Sequence, residues 1–255
     1  MSLDLWVYGG LAAWGAVLMA WERIAPAVEL PRTWRWYPRV LASLAGTMLV
    51  AQMGEHTWLP WLRARMGQGL FHVEHPALQA LLAYGIGTFV FYAWHRARHE
   101  VRVLWDTLHQ LHHAPARVEM LTATYVHPLE GVGSSILNGV IVHGLLGGGH
   151  AGLLGSIALF TAVGLFYHAN IRTPAWLDAW VSTPELHRLH HRAGVHAGNY
   201  GDLPVWDRLF RTYVPRDTAP ATFPMGFRDG LEARFLDILR FRNVLEAHPR
   251  AHGND

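Results

Sequence analysis

An uncharged run from Ala77 to Trp94 passes without a break into His95-Arg96-Ala97-Arg98-His99. Eighteen helical residues span about 27 Å, close to the ~30 Å hydrocarbon core of a bilayer. The run reads as a membrane helix whose polar end carries His95 and His99. Positions i and i+4 share a helix face, so these two imidazoles point the same way. The chain continues through His109, His112 and His113, and about eighty residues later repeats that spacing as His187, His190 and His191. Each triplet is expected to occupy one helical face. Eight imidazoles exceed the four ligands of a structural zinc site, so they describe a site for two ions.

The other apolar runs set the architecture. Residues 3 to 21 hold one charge, Asp4, and Glu22 and Arg23 follow. No positive charge precedes the run, so it reads as a retained membrane helix and not a cleaved signal. A second run, 40 to 60, is interrupted by Glu55 and His56 and ends at Trp58, Pro60 and Trp61. Residues 131 to 168 lack any Asp, Glu, Lys or Arg and are broken by Gly147-Gly148-Gly149. They read as a hairpin of two spans, 131–146 and 151–168, or as a re-entrant pair. From Ile171 the chain is soluble in character. Leu231, Phe235, Leu236, Ile238, Leu239 and Leu245 have helical spacing and are expected to pack on the domain, with a frayed tail from His248.

The expected fold is therefore all-α: an integral-membrane bundle of about four to five membrane helices under a cytosolic helical cap that holds the dimetal site. We read one domain, with membrane helices in 1–84, the histidine-rich catalytic region in 85–215 and a cytosolic helix and tail in 216–255. Two crossings separate the histidine clusters, which puts them on one side of the membrane. The connection carrying Arg23, Arg32, Arg35 and Arg39 falls on that side, and the N-terminus opposite. The excess of arginine marks it as cytoplasmic, in a bacterial inner membrane.

Composition removes several alternatives. Half the chain is hydrophobic (51%) and only 16% is charged, against about 25% in soluble domains. All the basic residues are arginine and none form a tract, so no nucleic-acid partner is expected. There is no cysteine, which excludes disulfides, zinc fingers and iron–sulfur clusters. Any metal must be held by histidine and carboxylate.

Imidazole suits iron, copper, nickel and zinc. A dimetal hydrolase pairs its ions with carboxylates in a polar cleft. Here the ligands are neutral imidazoles at the ends of membrane helices. Two ferrous ions in such a set stay strongly positive and able to reduce dioxygen, and the membrane supplies apolar substrates. Oxidation of an unactivated C–H bond in a lipid fits both facts. No dinucleotide fingerprint is present, so electrons must come from a partner. The alternative is a histidine-rich metal-binding or metal-transport protein without redox catalysis. Transport needs ionisable groups lining the spans, and only His143 and Glu55 qualify.

The motifs Tyr92-Ala-Trp-His-Arg, Leu104-Trp-Asp, His109-Gln-Leu-His-His, His127-Pro-Leu-Glu, Phe166-Tyr-His-Ala-Asn, Thr183-Pro-Glu-Leu-His-Arg-Leu-His-His, Asn199-Tyr-Gly and Trp206-Asp-Arg-Leu-Phe resemble the fatty acid hydroxylase/sterol desaturase superfamily over roughly residues 85 to 215. The resemblance implies a non-haem di-iron membrane enzyme with two Fe ions, O2 as co-substrate, and an external electron donor of ferredoxin, cytochrome b5 or reductase type. Zinc can take the same imidazoles in a purified sample. Carried over by residue, the implied ligands are His95, His99, His109, His112, His113, His187, His190 and His191, with His168 as a further ligand. His127, His196, Asn199 and Asp207 are lesser candidates for the metal or its surroundings. Glu100, Asp106, Glu185 and Asp207 are the nearest carboxylates for the outer N–H of the imidazoles. His143 and His150 read as structural, and His56, His72, His75, His248 and His252 have no motif. The sequence departs from the family pattern at Arg211, where glycine is common, and at Gly87-Thr88, where an acid often stands.

Overall fold

The computed structural model describes residues 2–33, 35–220, 222–228 and 230–245. The first helix, α1 (Leu3–Ile24), is capped by Ser2, whose Oγ accepts from Leu5 N, and carries Asp4 in its first turn and Arg23 in its last. These charges complement the helix dipole. α2 (Trp36–His56) breaks at Thr57 into the short α3 (Trp58–Met66). α4 (Pro76–Glu100) starts on a proline, which costs nothing where the N–H has no partner anyway. α5 (Arg102–Leu104), a π-helical turn (Trp105–His109) and α6 (Gln110–His113) then form one irregular helical stretch. A 3-10 turn at Met120–Thr124 precedes α7 (Glu130–Gly139), which runs on as a π-helical turn over Val140–Leu145. α8 (His150–His168), α9 (Pro184–His190), α10 (Pro204–Leu209) and α11 (Phe235–Leu239) complete the order. Among the described residues the one β pairing is a bridge between Arg192 and Met225.

α1, α4 and α8 run the same way. The starts of α1 and α8 are tied by His150 Nε2 to Asp4 Oδ1 at 2.8 Å, and Trp14 Nε1 donates to Ala162 O further along. Between α4 and α8 the rings of Tyr84 and Phe91 both meet Phe160, at 4.8 and 4.7 Å. Close approach depends on small residues: a Cβ on Gly155 would lie 2.7 Å from Ala80 Cβ. α2 and α7 run back the other way, with Ser43 Oγ of α2 donating to Val126 O just before α7 at 2.5 Å and Trp58 Nε1, at the start of α3, donating to Ser135 Oγ of α7 at 2.9 Å. At the far end Leu59, Leu62, Ile141, Val142 and Leu153 pack into one cluster. The three parallel helices thus end together, and the histidines sit at that end.

Three helices, α1, α4 and α8, are long and apolar enough to cross a membrane. Four to five were expected. α2 carries Arg39 and Glu55 and is less apolar, and the descending arm 130–145 is about 24 Å long at 1.5 Å per residue. The hairpin over 131–168 is present, with its first arm short. Trp6, Leu41, Leu49 and Leu81 are each more than half exposed on the outside of the bundle, as a lipid-facing surface requires.

The C-terminal segment packs as expected but not as one helix. Ile238 and Val244 are buried against Trp36, Trp105 and Tyr125, with Leu231, Phe235, Leu239 and Leu245 around them. α11 stops after five residues, and Phe241 takes a left-handed conformation with φ 61°. Leu236 faces outward. Gln110 clamps this segment to the site, donating to Arg242 O and accepting from Val244 N. The tail from His248, with His252, lies outside the described residues.

Candidate metal centre

All nine anticipated histidines converge, in two groups. His95, His99, His109, His113 and His190 form the first, and His112, His168, His187 and His191 the second; within each, one ring nitrogen per residue lies within 4.8 Å of all the others. The triplets do not each supply one group. His109 and His113 enter the first group while His112 enters the second, and the later triplet reverses the pattern, with His187 and His191 in the second and His190 in the first. A helix advances 100° per residue, so i+4 lies about 40° from i on one side and i+3 about 60° on the other. Each triplet therefore straddles the two groups and locks them together. This corrects the expectation of one face per triplet.

The tautomers follow from hydrogen bonds at the outer nitrogens. His95 Nδ1 donates to Tyr200 O at 2.8 Å, His190 Nδ1 to Gly198 O at 2.7 Å, and His168 Nδ1 to Gly164 O at 2.7 Å. His109 Nδ1 faces Glu130 Oε2 at 3.3 Å. With the proton held on Nδ1, the Nε2 of His95, His190 and His168 keeps a lone pair that points inward. Yet His95 Nε2 and His109 Nε2 are 3.0 Å apart. In the second group His168 Nε2 lies 2.9 Å from His187 Nε2 and 3.1 Å from His112 Nε2. Nitrogens bound to one ion at about 2.1 Å stand about 3.0–3.4 Å apart, the spacing these pairs show. His190 Nε2 and both ring nitrogens of His99 are buried without a partner. The donor set fits a divalent cation in each group.

Burial keeps these imidazoles neutral. It pushes His109, His112, His113, His187 and His191 well below the usual range, and His190 down to about 3. A neutral imidazole is the form that binds metal.

The lesser candidates hold the surroundings. His196 Nδ1 is 3.2 Å from His113 Nδ1, and burial lowers its pKa to about 4. Asn199, at φ 50°, donates to Leu186 O and Val214 O and accepts from Val214 N, fixing the loop after α9. Asp207 accepts from Tyr200 N, Gly201 N and Thr212 Oγ1, which positions the carbonyl facing His95; burial pushes it up to about 6. His127 belongs to neither group: its Nδ1 accepts from Leu129 N and its Nε2 faces Leu239 O, so it is a cap.

Three anticipated carboxylate partners are engaged elsewhere. Glu100 pairs with Arg96, Asp106 with Arg102 and Asn243, and Glu185 with Thr173. The carboxylate that meets an imidazole of the two groups is Glu130, which also forms a buried ion pair with Arg98. Its signal was its place in His127-Pro-Leu-Glu. His143 and His150 sit at the far end as structural residues, bonded to Gly148 O and Asp4. Arg211 has φ 60°, the region glycine adopts freely, which explains why its departure from the pattern falls at a glycine position. Thr88 Oγ1 accepts from Trp206 Nε1 at 3.0 Å, a structural use of that second departure.

A helical bundle with three apolar spans and nine imidazoles gathered at their common end defines a histidine-rich membrane protein whose donor set fits metal. The family model described as fatty acid hydroxylase matches residues 80–212. The ornithine lipid hydroxylase of Rhizobium tropici is 30% identical over 244 residues, 87% of this chain and 70% of its own length. The fatty acid hydroxylase of a Lecanicillium species is 31% identical over 165 residues, covering 55% and 43%. The alkylglycerol monooxygenase of Xenopus tropicalis is 28% identical over 135 residues, covering 50% and 28%. This chain spans less than half of the length of these last two relatives. No solved structure matches it. The chain belongs to the fatty acid hydroxylase family.

Proposed function

We propose that this protein is an oxidoreductase that uses two iron ions and dioxygen to hydroxylate an unactivated C–H bond of a membrane lipid, with desaturation as the other outcome of the same hydrogen removal. The observation that carries the reading is the pair of interlocked, all-imidazole groups at the common end of three apolar helices. The relatives, named as ornithine lipid hydroxylase, fatty acid hydroxylase and alkylglycerol monooxygenase, share lipid substrates and oxidation.

His95, His99, His109, His113 and His190 would hold one ion and His112, His168, His187 and His191 the other. Ferrous ions in such a site supply electrons and open positions for dioxygen. In the overall balance one oxygen atom enters the C–H bond, the other leaves as water, and two electrons and two protons come from the donor. The protein's part is to keep the imidazoles neutral, hold their outer protons on Tyr200, Gly198 and Gly164 carbonyls, and exclude water by burial. The electron donor is an external ferredoxin, cytochrome b5 or reductase, and the site lies on the cytoplasmic side of a bacterial inner membrane.

Comparison of lipid extracts from cells with and without the protein tests this. A lipid heavier by one oxygen, or lighter by two hydrogens, is expected, and it should vanish in His112→Ala. Identical extracts, together with no dioxygen uptake by iron-loaded protein supplied with reductant and lipid, would overturn the reading.

A further inference from the structure

A cleft of about 800 Å³ opens between the last turn of α1, the 25–33 connection and residues 117–119. We propose that it binds a zwitterionic lipid headgroup, an ammonium joined to a phosphate or carboxylate. As a site for the substrate's headgroup this rests on the lipid-oxidase reading; as a lipid site it stands alone.

Two buried groups in its wall have unsatisfied atoms of opposite kind. Glu22 is 4% exposed; its Oε2 accepts from Met120 N at 3.0 Å and Asn170 N at 3.1 Å, while its Oε1 has no partner. Arg117 is 8% exposed; its Nη1 donates to Pro31 O and its Nη2 to Glu119 Oε2, while its Nε has no partner. A buried polar atom left unpaired costs about 1–3 kcal/mol, a cost that a ligand group reaching either atom would relieve. An anion alone would meet Glu22 and Glu119, and a cation alone would meet Arg23, Arg32 and Arg117. A ligand carrying both charges matches both signs.

The position indicates a lipid. Glu22 ends an apolar helix, at the depth where headgroups lie, and exposed Trp21 and Tyr37 flank it as aromatic residues do at an interface. Asn170, in the same wall, stands two residues beyond His168, so the cleft is level with the metal centre. Below the cleft α1 packs on α8 and α2 on α7, and α1 and α2 barely touch each other. Acyl chains can leave through that gap into the bilayer.

Native mass spectrometry of the full-length protein in detergent, with competing lipids, tests the proposal. The probes are phosphatidylethanolamine, its N-acetylated form, phosphatidylglycerol, and an aminoacyl lipid with free ammonium and carboxylate. We expect either free-ammonium lipid to be retained about tenfold over the N-acetylated form, the factor given by one 1.4 kcal/mol interaction. Glu22→Gln should abolish that preference, and Arg32→Gln, on the exposed rim, should weaken both zwitterions and phosphatidylglycerol. Stronger retention of phosphatidylethanolamine assigns the anion as phosphate, and of the aminoacyl lipid as carboxylate. Equal retention of free and capped amines, or a preference that survives Glu22→Gln, overturns the proposal. If Glu22→Gln does not fold, the wild-type comparison and Arg32→Gln still decide. Selective binding without an oxidised product in cells would remove the oxidase reading and leave the cleft; product without selectivity would do the reverse.

Discussion

Glu130 Oε2 stands 3.3 Å from His109 Nδ1 while the same carboxylate is ion-paired with Arg98, both side chains being buried. The carboxylate thus orients a ligand and neutralises a buried guanidinium at once. Glu130→Gln keeps the shape but leaves Arg98 unpaired, so we expect a loss of about 3–5 kcal/mol of stability. Metal affinity of the first group should fall about 10- to 100-fold. Adding Arg98→Met should restore much of the melting temperature without restoring metal affinity, measured by thermal unfolding and metal titration. Full metal affinity in Glu130→Gln would show that the contact does not orient His109.

Because each triplet divides between the groups, single replacements should remove ions selectively. His190→Ala is expected to lose metal from the first group and His112→Ala from the second, each halving the metal content of purified protein. Some loss at the other group should follow, since the triplets share a backbone. Elemental analysis checks this, and unchanged content in both variants would contradict shared, two-ion binding.

Protonation should destabilise the metal-free protein. His190 and His196 titrate near 3 and 4 when folded, against about 6.5 unfolded. The unfolded chain therefore takes up protons first, and stability falls as pH drops from about 6.5 towards 4, at up to about 1.4 kcal/mol per histidine per unit. Above 6.5 these two groups contribute no slope. Thermal melts of chelator-treated protein between pH 7.5 and 4.5 should show the decline, and metal-loaded protein should melt at a higher temperature at pH 7.5 and lose that advantage as the pH falls. A flat profile would mean that these imidazoles are not buried in the apo state.

Gly198 carries the carbonyl that accepts from His190, at φ 75°. A Cβ there would lie 2.6 Å from Val214 Cγ2 and 2.9 Å from Thr212 O. Gly198→Ala should cost about 1–3 kcal/mol through backbone strain and move that carbonyl, lowering metal content of the first group. Metal content equal to wild type would show that His190 needs no such support.

Much of this was legible in the chain itself. Imidazoles spaced at i, i+3 and i+4, set at the ends of apolar runs, announce a helical dimetal site because helix period and bilayer thickness are fixed by backbone geometry and lipid. Those rules located eight of the nine converging histidines and the hairpin that ends at His168, while His168 itself entered as what the family resemblance implies. They do not say how far a helix is rotated against its neighbours. Packing decided that His112 and His190 turn away from their own triplets, because only the docked arrangement of α4, α6, α8 and α9 sets which face looks at which group. Packing likewise chose Glu130 over Glu100, Asp106 and Glu185: sequence distance to a histidine carries no information about a partner on another helix. The unsatisfied Glu22 and Arg117, 95 residues apart in the chain, meet only because the end of α1 rests on the segment that follows α6. Local periodicity fixed the imidazole donors of the eight-histidine pattern; long-range contact assigned each to its group.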